Sequence, residues 1–290
     1  MNSDQFFREV MESEICPKNF AEIYQQFKKI QKAALDTLIE FHRVCEKNNI
    51  TYQLAFGSLL GAIRDGGQIP WDYDIDVFVA HQDKKNLIKA LEKDLDNKFY
   101  FYCPESNKEC RHVIMRLAPQ GYRTEALHVD VFYYVGTPND EKERELYVQK
   151  IKKLSRARFS KLVNPKEEAA GSWKRFIKLS LIKIPVLFKN IDKLEKDYEK
   201  LCDEYNLENP EYCVSADSFA DWYNFPTYLF KDTKLIETNC GVFRIPVKYE
   251  EMLTITYKEY SSIPNLESRI EEVMHTYKRM EHFNLNFLKN

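Results

Sequence analysis

The run from residue 54 to residue 76 contains the residues whose types and spacing best suit chemistry. It reads LAFGSLLGAIRDGGQIPWDYDID. Asp74 and Asp76 stand two positions apart at the start of an apolar, β-branched run, so in a strand both side chains leave the same face. Carboxylate oxygens are the ligands that Mg²⁺ and Mn²⁺ prefer. The pair is therefore predicted to hold a divalent metal ion.

Gly57 and Ser58 stand where a strand pattern, residues 51–56, changes to a short helical pattern. The first N–H groups of a helix lack partners and carry a partial positive charge, which suits a phosphate. Glycine allows close approach of the backbone, and the serine hydroxyl adds a donor. A metal on Asp74 and Asp76 would then face a bound phosphate and favour an in-line displacement at phosphorus.

Asp130 is the third predicted carboxylate of this site. It alternates with apolar Val129 and Val131 in a strand pattern, so its side chain leaves the face of the strand opposite to the face that carries the two valines. We interpret it as a further metal ligand or as the base that takes a proton from the acceptor. The alternative is an ordinary residue on the polar face of its strand.

In this order the motifs resemble the LicD family of phosphotransferases, which includes the fukutin-related proteins. The family signature is similar to G-T/S-L-L-G-x-x-R followed by I-P-W-D-D-D-I-D, which stand here as residues 57–64 and 69–76. Residues 127–132 resemble the later acidic strand. Two departures are Tyr73 in place of the middle acid and a Tyr-Lys-Glu run at 257–259 in place of Tyr-Gly-Asp.

The resemblance implies a nucleotidyltransferase-like fold and a metal-dependent transferase. It implies a CDP-activated alcohol as the donor, and a transfer of phosphocholine or a phospho-polyol to a hydroxyl of a cell-surface glycan or glycolipid. It does not indicate which alcohol is transferred.

Arg64 and Arg116 are predicted to bind the donor phosphates, since guanidinium groups match phosphate oxygens. Arg64 follows the Gly57-Ser58 turn by two helical turns, and its alternative role is a salt bridge to Asp65 or Asp72. Arg116 matches a basic position in the middle strand of the family.

Periodicity predicts an α+β protein with a mixed sheet flanked by helices. The predicted helices cover residues 20–48, 141–161, 191–205 and 266–283, with a shorter helix after Asp83. The predicted strands cover residues 51–56, 75–79, 98–103, 112–117, 127–135 and 242–247. We expect a catalytic core at 1–138 and a mostly helical part at 139–290 that completes the cleft, with a soft boundary between them.

Composition narrows the class of protein. The 290 residues have a formal net charge of −2, so a nucleic-acid partner is not expected. The seven cysteines are scattered without a C-x-x-C pair, which indicates reduced thiols and a cytoplasmic protein. We find no secretory signal at the N-terminus and no apolar run of roughly 18 residues.

Three segments have two interpretations each. The basic and apolar run at 173–189 is an interfacial helix that contacts the inner face of a membrane, or a core helix broken before Pro185. The aromatic run at 219–230 stacks on an acceptor sugar or forms an apolar seam. Trp71 stacks on a base or closes the core as a lid.

Two other functions compete with phospho-alcohol transfer. A nucleotidyltransferase would use the same turn and carboxylates to move a nucleoside monophosphate from an NTP, and would release pyrophosphate. A non-catalytic glycan-binding scaffold would retain the fold alone, which the intact carboxylates argue against.

Overall fold

The computed structural model describes residues 1–123, 127–169, 172–220 and 222–282. The α-helices in these ranges are α1 (Ser3–Met11), α2 (Phe20–Lys47), α3 (Phe56–Arg64), α4 (Lys84–Asp94), α5 (Glu141–Leu162), α6 (Pro165–Glu168), α7 (Trp173–Lys183), α8 (Ile191–Cys202), α9 (Tyr249–Tyr257) and α10 (Leu266–His282). The strands are β1 (Tyr52–Leu54), β2 (Ile75–Ala80), β3 (Phe99–Tyr102), β4 (Met115–Pro119), β5 (Val129–Gly136), β6 (Tyr212–Ser215), β7 (Phe225–Pro226), β8 (Thr233–Thr238) and β9 (Gly241–Pro246).

The main sheet is mixed and has the order β1-β2-β5-β4-β3. Strands β2 and β5 run parallel, and the other neighbours run antiparallel. The second half of β5 also pairs with β6, which in turn pairs with β7, while β8 and β9 form a separate hairpin. The predicted α+β class is therefore confirmed.

Helix α2 covers one face of this sheet and contacts β2, β4 and β5. Its apolar residues recur at three- and four-residue steps, which places them on one side of the helix. Phe27, Ile30, Ala34, Leu38 and Phe41 on that side are all buried. The same helix thereby supports the two parallel strands that carry the predicted carboxylates.

The strands β6, β7 and β8 were not predicted from the sequence. Since β6 pairs with β5, the main sheet contains strands from both sides of the soft boundary near residue 139. The predicted long helices are present as α2, α5, α8 and α10, and the predicted end of the last one at Phe283 lies outside the described residues. In the described ranges, no helix combines the length and the apolar character needed to cross a bilayer.

Candidate active site

Gly57 and Ser58 lie in the first turn of α3, directly after β1, as the sequence predicts. Ala55 precedes the helix and has no polar side chain to cap it, so the first N–H groups remain available to an anion. Phe56 has φ of 43°, an unfavourable backbone conformation for a bulky residue. Its ring packs against Phe78 and Phe132 at centroid distances of 5.0 and 5.4 Å, and these contacts hold the turn.

Two hydrogen bonds join this turn to β2. The N–H of Ala55 donates to the carbonyl of Asp76 at 2.9 Å, and the N–H of Asp76 donates to Ser58 Oγ at 2.9 Å. The Ser58 oxygen therefore positions the Asp76 backbone, while its hydrogen can rotate toward a ligand. A Cβ at Gly57 would lie 3.1 Å from Asp72 Oδ2, so this position favours glycine by close approach.

Strand register brings the predicted charged residues together. Asp76 is directly opposite Asp130 in the parallel pair β2 and β5, and Asp130 is opposite Arg116 in the antiparallel pair β4 and β5. Residues paired in register share a face of the sheet. Asp74, Asp76 and Asp130 consequently line one cleft of about 940 Å³ that opens to solvent.

Asp130 is held by two basic side chains. Arg116 Nε donates to Asp130 Oδ1 at 2.9 Å, and His128 Nε2 lies 3.2 Å from Oδ2. Burial disfavours the charged carboxylate, but Arg116 and His128 outweigh it, and the pKa of Asp130 lies well below its usual range. Asp130 is therefore an anion with both oxygens engaged, which makes it a weak proton acceptor.

Asp76 has the opposite electrostatic environment. Burial, followed by the negative charges of Asp130 and Asp74, raises the pKa of Asp76 well above its usual range. Burial and the charge of Asp74 also raise the pKa of Asp72 to about 7. This excess of carboxylates at one place is compensated only in part by Arg116, and a divalent cation would neutralise it.

The donor set suits Mg²⁺ in charge and chemistry, although it is not a closed cage. Among the residues in the described ranges, no three acidic, histidine or cysteine side chains are arranged to enclose one ion. Mg²⁺ in phosphoryl-transfer sites is usually bound by one or two carboxylates together with substrate phosphates. Asp74 and Asp76 fit that pattern, while a metal-ligand role for Asp130 would require it to release Arg116 or His128.

The Gly57-Ser58 turn faces a second, smaller cavity of about 400 Å³. Asp72 and Asp74 also line it, and Asp74 lines the large cleft as well. Asp74 thus lies between the predicted phosphate turn and the predicted reaction site. Most of the other residues that line the smaller cavity are apolar, among them Leu35, Leu38, Leu54 and Phe243, so its interior does not suit a phosphate.

Arg64 lies away from both cavities. Its guanidinium donates to Asp65 Oδ2 at 2.8 Å and to the carbonyl of Ser262 at 3.1 Å, and it lies 5.6 Å from the centre of the Trp71 ring. The contact with Asp65 is the alternative role considered from the sequence. Phosphate binding by Arg64 stays a prediction. Trp71 is buried and packs on Phe6, as a lid on the core would.

The wall of the large cleft opposite the carboxylates is aromatic, and sequence reasoning identified it only in part. The aromatic run contributes Phe219, Trp222, Tyr223 and Phe225. Further lining residues are Phe56, Phe132, Ser215, Asp217 and Tyr257. Asp217 was missed because it follows the unpredicted strand β6; the short apolar run at 212–216 is a weak signal for that strand. The aromatic segment thus lines the cleft, where its rings can stack on a ligand.

Asp217 is a buried fourth carboxylate with fixed orientation. It accepts hydrogen bonds from Ser215 Oγ at 2.9 Å and from the N–H of Phe219 at 2.6 Å. The second bond ties the carboxylate to the start of the aromatic run. The wall thus combines negative charge with aromatic faces.

The two departures from the LicD signature have structural explanations. Tyr73 is buried, and its hydroxyl accepts a hydrogen bond from Arg279 at 3.0 Å, so this side chain supports the fold. Lys258 follows Tyr257 with φ of 59°, a conformation that glycine adopts more easily. The lysine therefore retains a backbone conformation that suits the glycine of the family motif.

Replacing Ser58 with alanine is expected to weaken binding of the CDP-activated donor that the sequence resemblance implies by less than about 3 kcal/mol, because the backbone N–H groups remain. The free energy of unfolding should fall by about 1 kcal/mol, because the Asp76 N–H loses its acceptor. Calorimetric titration and denaturant unfolding measure the two effects. Ser58→Thr, which keeps the hydroxyl, is the control. A larger loss of affinity would assign the hydroxyl a role other than phosphate binding.

Comparison with known proteins gives a family match and three relatives. Residues 49–161 match the family described as LicD/FKTN/FKRP, nucleotidyltransferase domain. The chain is 27% identical over 251 residues to the lipopolysaccharide cholinephosphotransferase LicD of Haemophilus influenzae, which covers 81% of this chain and 91% of that protein. An uncharacterized protein of Rickettsia typhi is 39% identical over 71 residues, 22% of this chain and 23% of its own length. One of Rickettsia prowazekii is 44% identical over 50 residues, 17% of this chain and 19% of its own.

Proposed function

We propose that this chain, which carries a nucleotidyltransferase domain of the LicD/FKTN/FKRP family, transfers a phospho-alcohol from a CDP-activated donor to a hydroxyl of a cell-surface glycan or glycolipid. The observation that carries the proposal is the register that places Asp76, Asp130 and Arg116 side by side on one face of the sheet, where Asp76 and Asp130 line the cleft. Carboxylates and a guanidinium group in this arrangement suit a diphosphate and its counter-ion.

In the proposed reaction the acceptor hydroxyl oxygen forms a bond to the phosphorus that carries the alcohol. The bond between that phosphorus and the CMP oxygen breaks, and CMP leaves with the bonding electrons. The hydroxyl proton passes to a carboxylate of the cleft: to Asp76, or to Asp130 once Asp130 has released Arg116 or His128. A hydroxyl is a poor nucleophile at neutral pH, so this deprotonation contributes to the rate.

Asp74 and Asp76 would hold Mg²⁺ or Mn²⁺. When the cation is bound, it would neutralise part of the negative charge of the diphosphate. Asp130, which also lines the cleft, accepts a hydrogen bond from Arg116 Nε at 2.9 Å. His128 fixes the other oxygen of Asp130, so the carboxylate keeps its orientation.

We infer that the transferred alcohol is a cation of the choline type. Quaternary ammonium groups bind against aromatic faces, and the cleft places Trp222, Phe219 and Tyr223 beside the carboxylate of Asp217. Phe219 and Trp222 pack against each other at 4.4 Å, and both are exposed at the cleft. The similarity to a lipopolysaccharide cholinephosphotransferase supports the same inference.

The products distinguish this proposal from the competing functions. Incubation of the chain with Mg²⁺, CDP-choline and lipopolysaccharide should release CMP and attach phosphocholine to the acceptor. A nucleotidyltransferase would instead release pyrophosphate from an NTP. If neither product forms, while the chain still binds the glycan, the scaffold hypothesis would hold and the transferase would be rejected.

Trp222→Ala should raise the KM for CDP-choline by roughly three- to thirtyfold, because a cation loses its aromatic partner. Trp222→Phe keeps an aromatic face and should have a smaller effect. Steady-state kinetics with CDP-choline and with an uncharged CDP-glycerol measure the difference. Leu146→Ala, which changes an exposed apolar residue of α5 outside the cleft, is the control. An equal loss with both donors would show that the wall does not recognise the positive charge.

A further inference from the structure

Helix α7 and the turn that follows it carry an exposed apolar surface. We call it the α7 surface; its members are Trp173, Phe176, Ile177, Leu181, Ile184, Leu187 and Phe188, all exposed. Trp173 is 67% exposed, and Phe188 is fully exposed. Large apolar side chains grouped in this way are unusual on a monomer and mark an interaction site.

The α7 surface is rigidly attached to the rest of the chain. Leu179 and Val186 are buried beneath it, and Val186 packs with Leu194 of α8. Lys183 Nζ donates to the carbonyl of Val163 at 2.8 Å, at the end of α5. The exposed apolar side chains thus project from a helix that is already folded and anchored.

Within the segment that forms this surface, the charged side chains have one sign, although Arg175 lies 3.8 Å from Glu168 of α6. Residues 172–190 contain the basic side chains Lys174, Arg175, Lys178, Lys183 and Lys189 and no acidic residue. Lys174, Lys178 and Lys189 are exposed. Positive charges beside exposed aromatic and aliphatic side chains are typical of helices that lie in the headgroup region of an anionic bilayer.

We propose that the α7 surface docks on the surface of a membrane that contains anionic lipids. The apolar side chains enter the boundary between headgroups and acyl chains, and the lysines bind lipid phosphates. A second copy of the chain fits this surface less well, because a two-fold interface sets the same patch against itself and brings like charges together. Lysine is also depleted from the centres of protein interfaces. This inference does not depend on the proposed reaction.

Co-sedimentation of the full chain with lipid vesicles tests the proposal. Binding is expected to vesicles of phosphatidylcholine with phosphatidylglycerol and to be weaker with phosphatidylcholine alone. Leu181→Ser combined with Phe188→Ser should weaken binding at least about tenfold, because two apolar side chains no longer enter the lipid. Lys174→Glu combined with Lys178→Glu should remove the preference for phosphatidylglycerol. Each lost positive charge should lower the affinity for anionic vesicles about fivefold or more.

Leu235→Ser, which changes an exposed leucine on the β8 hairpin, is the control and should bind as the unmodified chain does. The altered side chains are exposed, and circular dichroism checks that each variant is folded. In a second measurement, the fluorescence of Trp173 should shift to the blue with anionic vesicles, and Trp173→Phe should lose that shift. Absence of vesicle binding would overturn the proposal. So would self-association that Phe188→Ser abolishes while vesicle binding is unchanged.

Discussion

Asp76→Asn is expected to lower the rate of transfer by at least about 10²–10³-fold while leaving the protein as stable as before or more stable. The activity falls because a charged ligand is lost from the predicted metal site. Stability does not fall because burial and the charges of Asp130 and Asp74 raise the pKa of Asp76, which means that the folded state disfavours its charge. Asparagine has the same shape and removes that repulsion.

The change in stability should depend on pH. A carboxyl whose pKa is raised by folding stabilises the protein at low pH, and this contribution is lost as the pH rises. In metal-free buffer, the advantage of Asp76→Asn should therefore be greatest at neutral pH and absent below about pH 4, the ordinary range of an aspartate. Thermal unfolding across this range measures it. Mg²⁺ should raise the melting temperature of the unmodified chain more than that of the variant.

Asp74→Asn tests the same metal site and should also abolish transfer. Asp36→Asn, at a half-exposed position of α2 where Asp36 pairs with Lys32, is the control for the loss of one negative charge and should retain activity. A rate near that of the unmodified chain in either Asp74→Asn or Asp76→Asn, with Mg²⁺ present, would show that the metal assignment is wrong.

Asp130→Asn should reduce transfer by about 10²–10⁴-fold, and we expect the affinity for CDP-choline to fall with it. Asp130 forms an ion pair with Arg116, and in the variant the Arg116 guanidinium loses the charged partner that holds it in place. The loss of this partner is the reason that we expect the affinity for CDP-choline to fall. Unfolding free energy should fall by about 1–3 kcal/mol, because a buried charged hydrogen bond is lost. Titration of CDP-choline in the presence of Mg²⁺, together with turnover, measures both effects.

A double-mutant cycle identifies the role of Asp130. If Asp130 acts through Arg116, the effects of Asp130→Asn and Arg116→Gln on donor affinity will not add, since each removes the same interaction. If donor affinity is unchanged and only transfer falls, Asp130 is the base. If both quantities are unchanged, Asp130 is an ordinary residue of its strand and the site has no third carboxylate.

The sequence by itself predicted the α+β class, the long helices and the central motif. Local features suffice for these: Gly57 and Ser58 at a strand-to-helix change, and Asp74 and Asp76 on one side of a strand, follow from the spacing of neighbouring residues. The resemblance to the LicD family rested on the same run and is confirmed by the match over residues 49–161.

The tertiary structure decided which distant residues meet. Asp130 lies beside Asp76 because β2 and β5 pair in parallel, and that strand order cannot be read from the alternation within either strand. Asp217 lines the cleft because β6 pairs with β5. The Arg64 guanidinium donates a hydrogen bond to the carbonyl of Ser262, which is 198 positions away in the sequence. Periodicity reports which face of an element is apolar, whereas contacts between elements depend on how those faces pack together.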